Sequence, residues 1–159
     1  MSRRAGAIER AAETARPIVS YTLSQLGQET SRRFAELLAT TGLEPRQFAL
    51  LGAVARQEGQ SQQAVAGQVA IPTSTMVALV DHLEEEGLIE RRPHPSDRRT
   101  RMLHLTSKGS SALDKATLLA GNWEASLCAG FNPSERSRLL ELLGRVADNL
   151  GLDLLYYVS

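Results

Sequence analysis

A short helical pattern followed at once by a longer one leaves the middle of the chain few choices of fold. Ser61 is suited to cap the first helix, which runs to Val69. The Ala70-Ile71-Pro72 break separates it from a second apolar periodicity over residues 73–86, which Gly87 ends. Two helices joined by a tight turn are therefore predicted.

A basic β-hairpin is predicted directly after these helices. Residues 88–92 and 101–105 are strand-like, and the eight residues between them are rich in Pro, Ser and Arg. Between Leu88 and Lys108 lie six basic and two acidic residues, although the formal net charge of the whole chain is zero. Positive charge is therefore focused on one hairpin.

Helical patterns also flank this central region. They cover residues 18–41, which Gly42 ends, residues 44–57, a helix that Thr106 caps, and a helix that starts at Asn132 and ends near Gly151. Within residues 44–57 the predicted buried stripe is Phe48, Leu51 and Ala55. The first and last helices have more apolar surface than one small lobe needs, which favours a helical layer shared between two chains.

The predicted fold is mainly α with a small β-hairpin wing: a winged helix-turn-helix of six helices, dimerised through its terminal helices. In a winged helix-turn-helix the helix after the turn enters the major groove of DNA, so residues 43–106 are assigned to a DNA-binding lobe. Residues 1–42 are assigned to an N-terminal arm and dimerisation helix and residues 107–159 to C-terminal dimerisation helices, within one intertwined domain. The apolar tail, residues 154–157, is expected to dock on an unidentified surface.

The rest of the composition argues against several classes of protein, namely secreted, membrane-spanning, metal-binding and catalytic ones. The chain has one cysteine, Cys128, and no apolar run that could serve as a signal peptide or span a membrane, so the cytoplasm is predicted. Cys128 is interpreted as a small buried thiol rather than a redox sensor. The scattered histidines predict no metal site, no cofactor is expected, and the absence of catalytic motifs predicts that the chain is not an enzyme. The run Glu84-Glu85-Glu86 is interpreted as a solvated helix face.

Three motifs carry a family resemblance over roughly residues 43–118. Gly87-Leu88-Ile89-Glu90-Arg91, Asp97-Arg98-Arg99 and Leu103-His104-Leu105-Thr106-Ser107-Lys108-Gly109 together resemble the signature of the MarR (multiple antibiotic resistance regulator) family. The resemblance implies a homodimer that places two recognition helices and two wings on a pseudo-palindromic DNA operator. It also implies a regulator of transcription, commonly a repressor, which a small aromatic or phenolic molecule releases from DNA.

The DNA-binding residues are predicted on the second helix of the motif and on the wing. Short hydroxyl side chains in the first helical turn can reach phosphates and base edges, or can simply cap the helix. The resemblance places an arginine of the wing, Arg99, in the minor groove, where Asp97 can hold its guanidinium group. Thr73 and Ala78 stand where many family members have Arg or Lys, which puts guanine recognition by this helix in doubt. The full prediction is Ser61, Gln62, Thr73, Ser74, Thr75, Ala78, His94, Asp97, Arg98, Arg99 and Arg101. Arg91 and Arg92 are either further phosphate contacts or solvated strand residues.

A ligand pocket is predicted between the dimer layer and the DNA-binding lobe, where the resemblance places it. The candidates are Tyr21, Phe34, Phe48, Leu51 and Trp123, for which ordinary core packing is an equal interpretation. A different class of function stays open beside DNA binding. A winged helix can serve as a protein-interaction module, which would have no need of the charge cluster from Asp97 to Arg101.

Overall fold

The computed structural model describes residues 18–69, 72–94, 96 and 100–152, except for the side chain of Thr73. These residues fall into two compact units, of which the first ends at Phe34 and the second begins at Ala35. Three predicted features lie outside the described residues: the N-terminal arm, the Asp97-Arg98-Arg99 tip of the wing and the tail at residues 154–157.

The described residues form six helices and three strands. The helices are α1 (Val19–Ala39), α2 (Pro45–Arg56), α3 (Gln62–Gln68), α4 (Thr73–Glu85), α5 (Ser107–Leu127) and α6 (Pro133–Asn149). The strands are β1 (Gln60–Ser61), β2 (Ile89–Pro93) and β3 (Arg101–Leu105). This order confirms the predicted winged helix-turn-helix, with α3 and α4 as the motif and β2 and β3 as the strands of the wing.

Local capping explains why the predicted helix ends agree with the structure. The Ser61 hydroxyl accepts a hydrogen bond from the first turn of α3, and the Thr106 hydroxyl accepts one from the backbone N–H of Gly109 in α5, at 3.0 Å. Gly42 and Gly87 follow α1 and α4 with φ angles of 79° and 69°, which residues with a Cβ adopt only at a cost. The ends are thus set by residues within a few positions of each terminus.

The hairpin belongs to a three-stranded antiparallel sheet with the order β1-β3-β2. In the wing, Ile89 pairs with Leu105 at the base and Pro93 pairs with Arg101 toward the tip. The third strand, β1, was not predicted, because two residues are too few to show an alternating pattern. It pairs Gln60 with Leu103 and so ties the turn before α3 to the base of the wing.

The core of the second unit is built from apolar side chains of all its helices and strands except β1. Its largest fully buried side chains are Leu38, Leu50, Leu51, Val54, Val65, Met76, Val80, Leu83, Ile89 and Leu103. Each such side chain contributes about 1.5–3 kcal/mol by leaving water. The predicted stripe on α2 was wrong for Ala55, which is exposed, because α2 packs against α5, β3 and α3 and buries Gln47 and Val54 instead.

The C-terminal region, residues 107–152, exposes many large apolar side chains, which we call together the terminal apolar surface. Its members are Leu118, Leu127, Phe131, Leu139, Leu140, Leu142, Leu143, Leu150 and Leu152, all at least 36% exposed. A single folded chain rarely leaves this much apolar side chain in water.

The described part of the first unit is the helical segment up to Phe34. Glu29 accepts hydrogen bonds from Arg32 and Arg33, which lower the pKa of its carboxyl group to about 2. Ile18, Tyr21 and Leu26 of this segment are each more than half exposed. This segment therefore also presents unburied apolar side chains.

Candidate nucleic-acid interface

The outward face of α4 is the surface that a helix-turn-helix presents to DNA. Met76, Val80 and Leu83 are buried, as predicted, and fix which face of the helix points away from the core. The exposed positions are Ser74, Val77, Ala78, Asp81, His82 and Glu85. Helix α4 contains neither Lys nor Arg. The outward face therefore carries small polar side chains, apolar side chains and acidic side chains, and it has no Lys or Arg.

Arg91 of β2 clamps the wing to α4. Its guanidinium group donates to Asp81 Oδ1 at 2.5 Å and to the Glu84 carboxylate, while its backbone N–H donates to Glu84 Oε1 at 3.0 Å. The guanidinium also donates to Gln62 Oε1 of α3 at 3.4 Å. Burial works to lower the pKa of Arg91, but the hydrogen bonds that Arg91 donates to Asp81 and Glu84 raise it above its usual value.

These contacts correct two interpretations made from the sequence. Arg91 is neither a solvated strand residue nor a free phosphate contact, because its side chain is only 20% exposed and bonds to three partners. Glu84 belongs only in part to a solvated face: its side chain is 39% exposed and accepts two hydrogen bonds from Arg91, whereas Glu85 is exposed. Glu86 also has a distant partner, the side-chain amide of Gln47 at 3.3 Å. The acidic run therefore joins elements of the lobe.

We expect Arg91→Met to lower the free energy of unfolding by about 1–3 kcal/mol, because it leaves two carboxylates without their shared cation in a partly buried place. Arg92→Met is the matched control, since Arg92 pairs with Glu90 and both side chains are about half exposed. An exposed pair of this kind contributes within about 0.5 kcal/mol. Urea unfolding followed by circular dichroism measures both values. Equal small losses in the two variants would show that the clamp is not structural.

The Thr106 to Gly109 segment forms the joint between α4 and α5. The Thr106 hydroxyl donates to the carbonyl oxygen of Gly87 at 2.7 Å, and the Lys108 ammonium donates to the carbonyl oxygen of Glu86 at 2.6 Å. Lys108 thus satisfies a terminal carbonyl group of α4. The positive charge of Lys108 is therefore bound within the lobe.

The described part of the wing contains two of the predicted DNA-binding residues. Arg101 is exposed and pairs with Pro93 across the hairpin. His94 is half-buried, and its Nδ1 accepts a hydrogen bond from the backbone N–H of Ser96 at 3.2 Å. Asp97, Arg98 and Arg99 lie outside the described residues, so the minor-groove role of Arg99 stays a prediction.

The predicted residues of the helix-turn-helix fall into two groups. Ser61 caps α3 through Ala64, and Gln62 accepts the hydrogen bond from Arg91, so both have partners within the lobe. Ser74 and Ala78 are exposed on α4, and Thr75 is half-buried. Thr73 begins α4. The helix face thus brings together Ser74 and Ala78, with Thr75 at its margin.

The predicted ligand residues have different surroundings. Leu51 is fully buried in the core, whereas Phe48 and Trp123 are half-buried. Tyr21 and Phe34 belong to the first unit, where Tyr21 is 66% exposed and Phe34 is half-buried. A cleft of about 440 Å³ in the second unit is lined by residues 41–43 and one face of α5, and none of the five candidates lines it. The ligand pocket stays a prediction.

Cys128 follows the last residue of α5 and is half-buried, with its Sγ 3.9 Å from Glu124 Oε1. The predicted full burial of this thiol is therefore not found in the single chain, and the absence of a redox role stays a prediction. Within residues 18–69, 72–94, 96 and 100–152, no cluster of three or more His, Cys, Asp or Glu side chains could hold a metal ion. No helix in the same ranges is long and apolar enough to cross a membrane.

Several known proteins resemble this chain in both sequence and fold. A sequence profile described as "MarR family" matches residues 41–100. The "Putative transcriptional regulatory protein for hcr operon" of Thauera aromatica is 35% identical over 116 residues, which are 72% of this chain and 70% of the relative. The transcriptional repressor CouR, solved on a 23-mer DNA duplex, is 32% identical with a TM-score of 0.73, covering 82% of this chain and 92% of CouR. CouR from Rhodococcus jostii RHA1 bound to p-coumaroyl-CoA is 29% identical with a TM-score of 0.69, covering 81% and 91%. The chain therefore belongs to the MarR family.

Proposed function

We propose that this protein is a homodimeric repressor of transcription that binds a pseudo-palindromic operator in duplex DNA. The observation that carries the proposal is the outward face of α4 beside an arginine-containing wing, in a chain 32% identical to a repressor solved on duplex DNA. Such a protein acts in the cytoplasm, where the DNA is, and has no catalytic activity.

The helix and the wing have different tasks on the DNA. The first turn of α4 presents the exposed Ser74 hydroxyl, which suits phosphates and base edges. Arg99 enters the minor groove beside the recognition helix, held by Asp97, and Arg98, Arg101 and His94 contact phosphates. Attraction to the DNA backbone comes from the wing, because α4 has no cationic Lys or Arg side chain.

A second copy of the chain covers the terminal apolar surface. Contact between two identical surfaces around a twofold axis places two α4 helices on the two halves of a palindromic site. The size of the exposed apolar set supports this assignment, since an exposed patch of leucines is costly in a monomer.

A small aromatic or phenolic molecule releases the repressor from DNA. The ligand reported with CouR, p-coumaroyl-CoA, contains such a group, and CouR is 29% identical to this chain. The predicted pocket residues are Tyr21, Phe34, Phe48, Leu51 and Trp123. Titration of the protein–operator complex with p-coumarate and with p-coumaroyl-CoA tests the class of ligand, and release by neither would remove this part of the proposal.

The proposed function is tested by selecting genomic DNA fragments with the purified protein and measuring affinity by fluorescence anisotropy. A scrambled duplex of equal length is the control. A dimer that neutralises about five phosphates with its wings should show a log–log salt slope of about −4 to −5. Equal affinity for selected and scrambled duplexes, or no binding at all, would favour the protein-interaction module.

We expect Arg99→Ala to weaken operator binding by about 1–3 kcal/mol per half-site, because a minor-groove arginine responds to groove width in addition to charge. Arg46→Ala removes the same charge from the first turn of α2 and is the matched control. Its neighbour Gln47 bonds to Glu86, and the C-terminal end of α4 lies about 18 Å from the DNA-facing first turn. Anisotropy with both variants, at one salt concentration, decides the question. Equal losses would contradict a specific role for Arg99.

A further inference from the structure

Val77 is an exposed valine in the middle of α4. It is 48% exposed, although Met76 on one side and Val80 one turn later are buried almost completely. A β-branched residue lowers helix propensity, and at an exposed position it adds nothing to the core. The fold therefore gives no reason for valine at this position.

The position of Val77 on the helix suggests what the side chain contacts. Ser74, Val77, Ala78 and Asp81 are all exposed and follow the spacing i, i+3, i+4, i+7. This spacing puts them in one stripe along the helix. The stripe lies on the outward face of α4, which contacts the major groove in the proposed function. Val77 and Ala78 form its centre.

The other side chains of α4 leave few ways to read a base pair. Guanine is usually read by Arg or Lys and adenine by Asn or Gln, and α4 contains none of these four residue types. The Asp81 carboxylate is occupied by the Arg91 guanidinium. His82 lies toward the C-terminal end, with Nε2 3.6 Å from Glu86 Oε1.

The methyl groups of Val77 and Ala78 are the main remaining feature of the stripe, and among the DNA bases thymine also carries a methyl group. Thymine carries a C5 methyl group in the major groove, and apolar side chains recognise it by direct contact. The ion pair between Arg91 and Asp81 also neutralises the carboxylate nearest to Val77 and Ala78 on the stripe. The apolar centre can then approach the DNA without placing an unpaired negative charge against the phosphates.

We propose that Val77 and Ala78 read thymine methyl groups in the operator, so that α4 selects thymine by apolar contact. The proposal rests on the proposed function and names the feature of the DNA that this helix recognises. Burying one methyl group against an apolar side chain changes an equilibrium constant about fourfold. Two half-sites in a dimer should therefore give about a tenfold to twentyfold effect.

Replacement of thymine by deoxyuridine in the selected operator tests the proposal. Deoxyuridine pairs like thymine and lacks only the C5 methyl group. We expect the wild-type protein to bind the substituted operator about tenfold to twentyfold more weakly than the natural one. Val77→Ala should bind the natural operator more weakly by a similar factor and should be much less sensitive to the substitution.

Arg46→Ala is the control, since Arg46 is an exposed residue of α2, outside both the helix-turn-helix and the terminal helices. We expect this variant to keep the full sensitivity to deoxyuridine. Circular dichroism shows whether each variant is folded, and alanine favours the helix at position 77.

Two outcomes would overturn the proposal: the wild-type protein tolerates deoxyuridine at every position, or Val77→Ala keeps the full sensitivity. The second outcome would mean that the substitution acts through the shape of the DNA. A wild-type protein that prefers no duplex would instead disprove the proposed function itself.

Discussion

Aspartate at both Leu139 and Leu142 should convert the protein into a monomer and reduce operator affinity at least 100-fold. Both leucines belong to the terminal apolar surface and are 38% and 42% exposed in the single chain. If a second copy covers the exposed part of each leucine, each contributes about 1 kcal/mol, and twofold symmetry counts every contact twice. A carboxylate in the same place has to lose its hydration without a partner, which adds to the loss.

The loss of operator affinity follows from the loss of the second half-site. A dimer binds its second half-site at a high effective concentration, which separate monomers do not have. Light scattering at micromolar concentration measures the mass, and anisotropy on the selected operator measures binding. Ser137→Asp is the matched control, because Ser137 is exposed on the opposite side of α6 from Leu139. A wild-type monomer, or a double variant that is still a dimer, would contradict the proposed assembly.

The features that could be predicted from the sequence are those set by neighbouring residues. The buried face of α4 follows from the spacing of Met76, Val80 and Leu83, and the end of the helix from Gly87. Capping residues such as Ser61 and Thr106 also act within one helical turn. Local interactions of this kind leave a periodic or positional pattern that is visible in a single sequence.

The features that were missed depend on residues far apart in the chain. Strand β1 exists because Gln60 meets Leu103, and the burial of Gln47 depends on three other elements that pack around α2. The Arg91 clamp joins β2 to Asp81 and Gln62, which no spacing rule connects. Val77 could not be recognised from the sequence either, because helical periodicity identifies the apolar residues of the buried face and assigns no role to an apolar residue on the opposite face.

Gly109→Ala should unfold the protein or lower its free energy of unfolding by about 3 kcal/mol or more. Gly109 is buried in the first turn of α5, and a Cβ atom added there would overlap the carbonyl oxygen of Leu88 and lie 2.8 Å from its carbonyl carbon. The obstacle is backbone, so no side-chain rotation relieves it. To make room, α5 has to move away from the strand end where Thr106 N–H donates to Leu88 O at 3.1 Å. The hydrogen bond from the Thr106 hydroxyl to Gly87 would be lost with the same movement.

Helix propensity alone predicts the opposite sign, which makes the test decisive. Alanine is favoured over glycine inside a helix by about 1 kcal/mol. Gly67→Ala in α3 is therefore the matched control, because a Cβ atom there meets nothing within 4 Å, and it should stabilise the protein by about 0.5–1 kcal/mol. Urea unfolding at a fixed protein concentration compares both variants with the wild type. If Gly109→Ala were as stable as Gly67→Ala, α5 would not rest on the Leu88 carbonyl group. The joint between the DNA-binding lobe and the C-terminal helices would then depend on the hydrogen bonds of Thr106 and Lys108 and on the packing of α5 against α2.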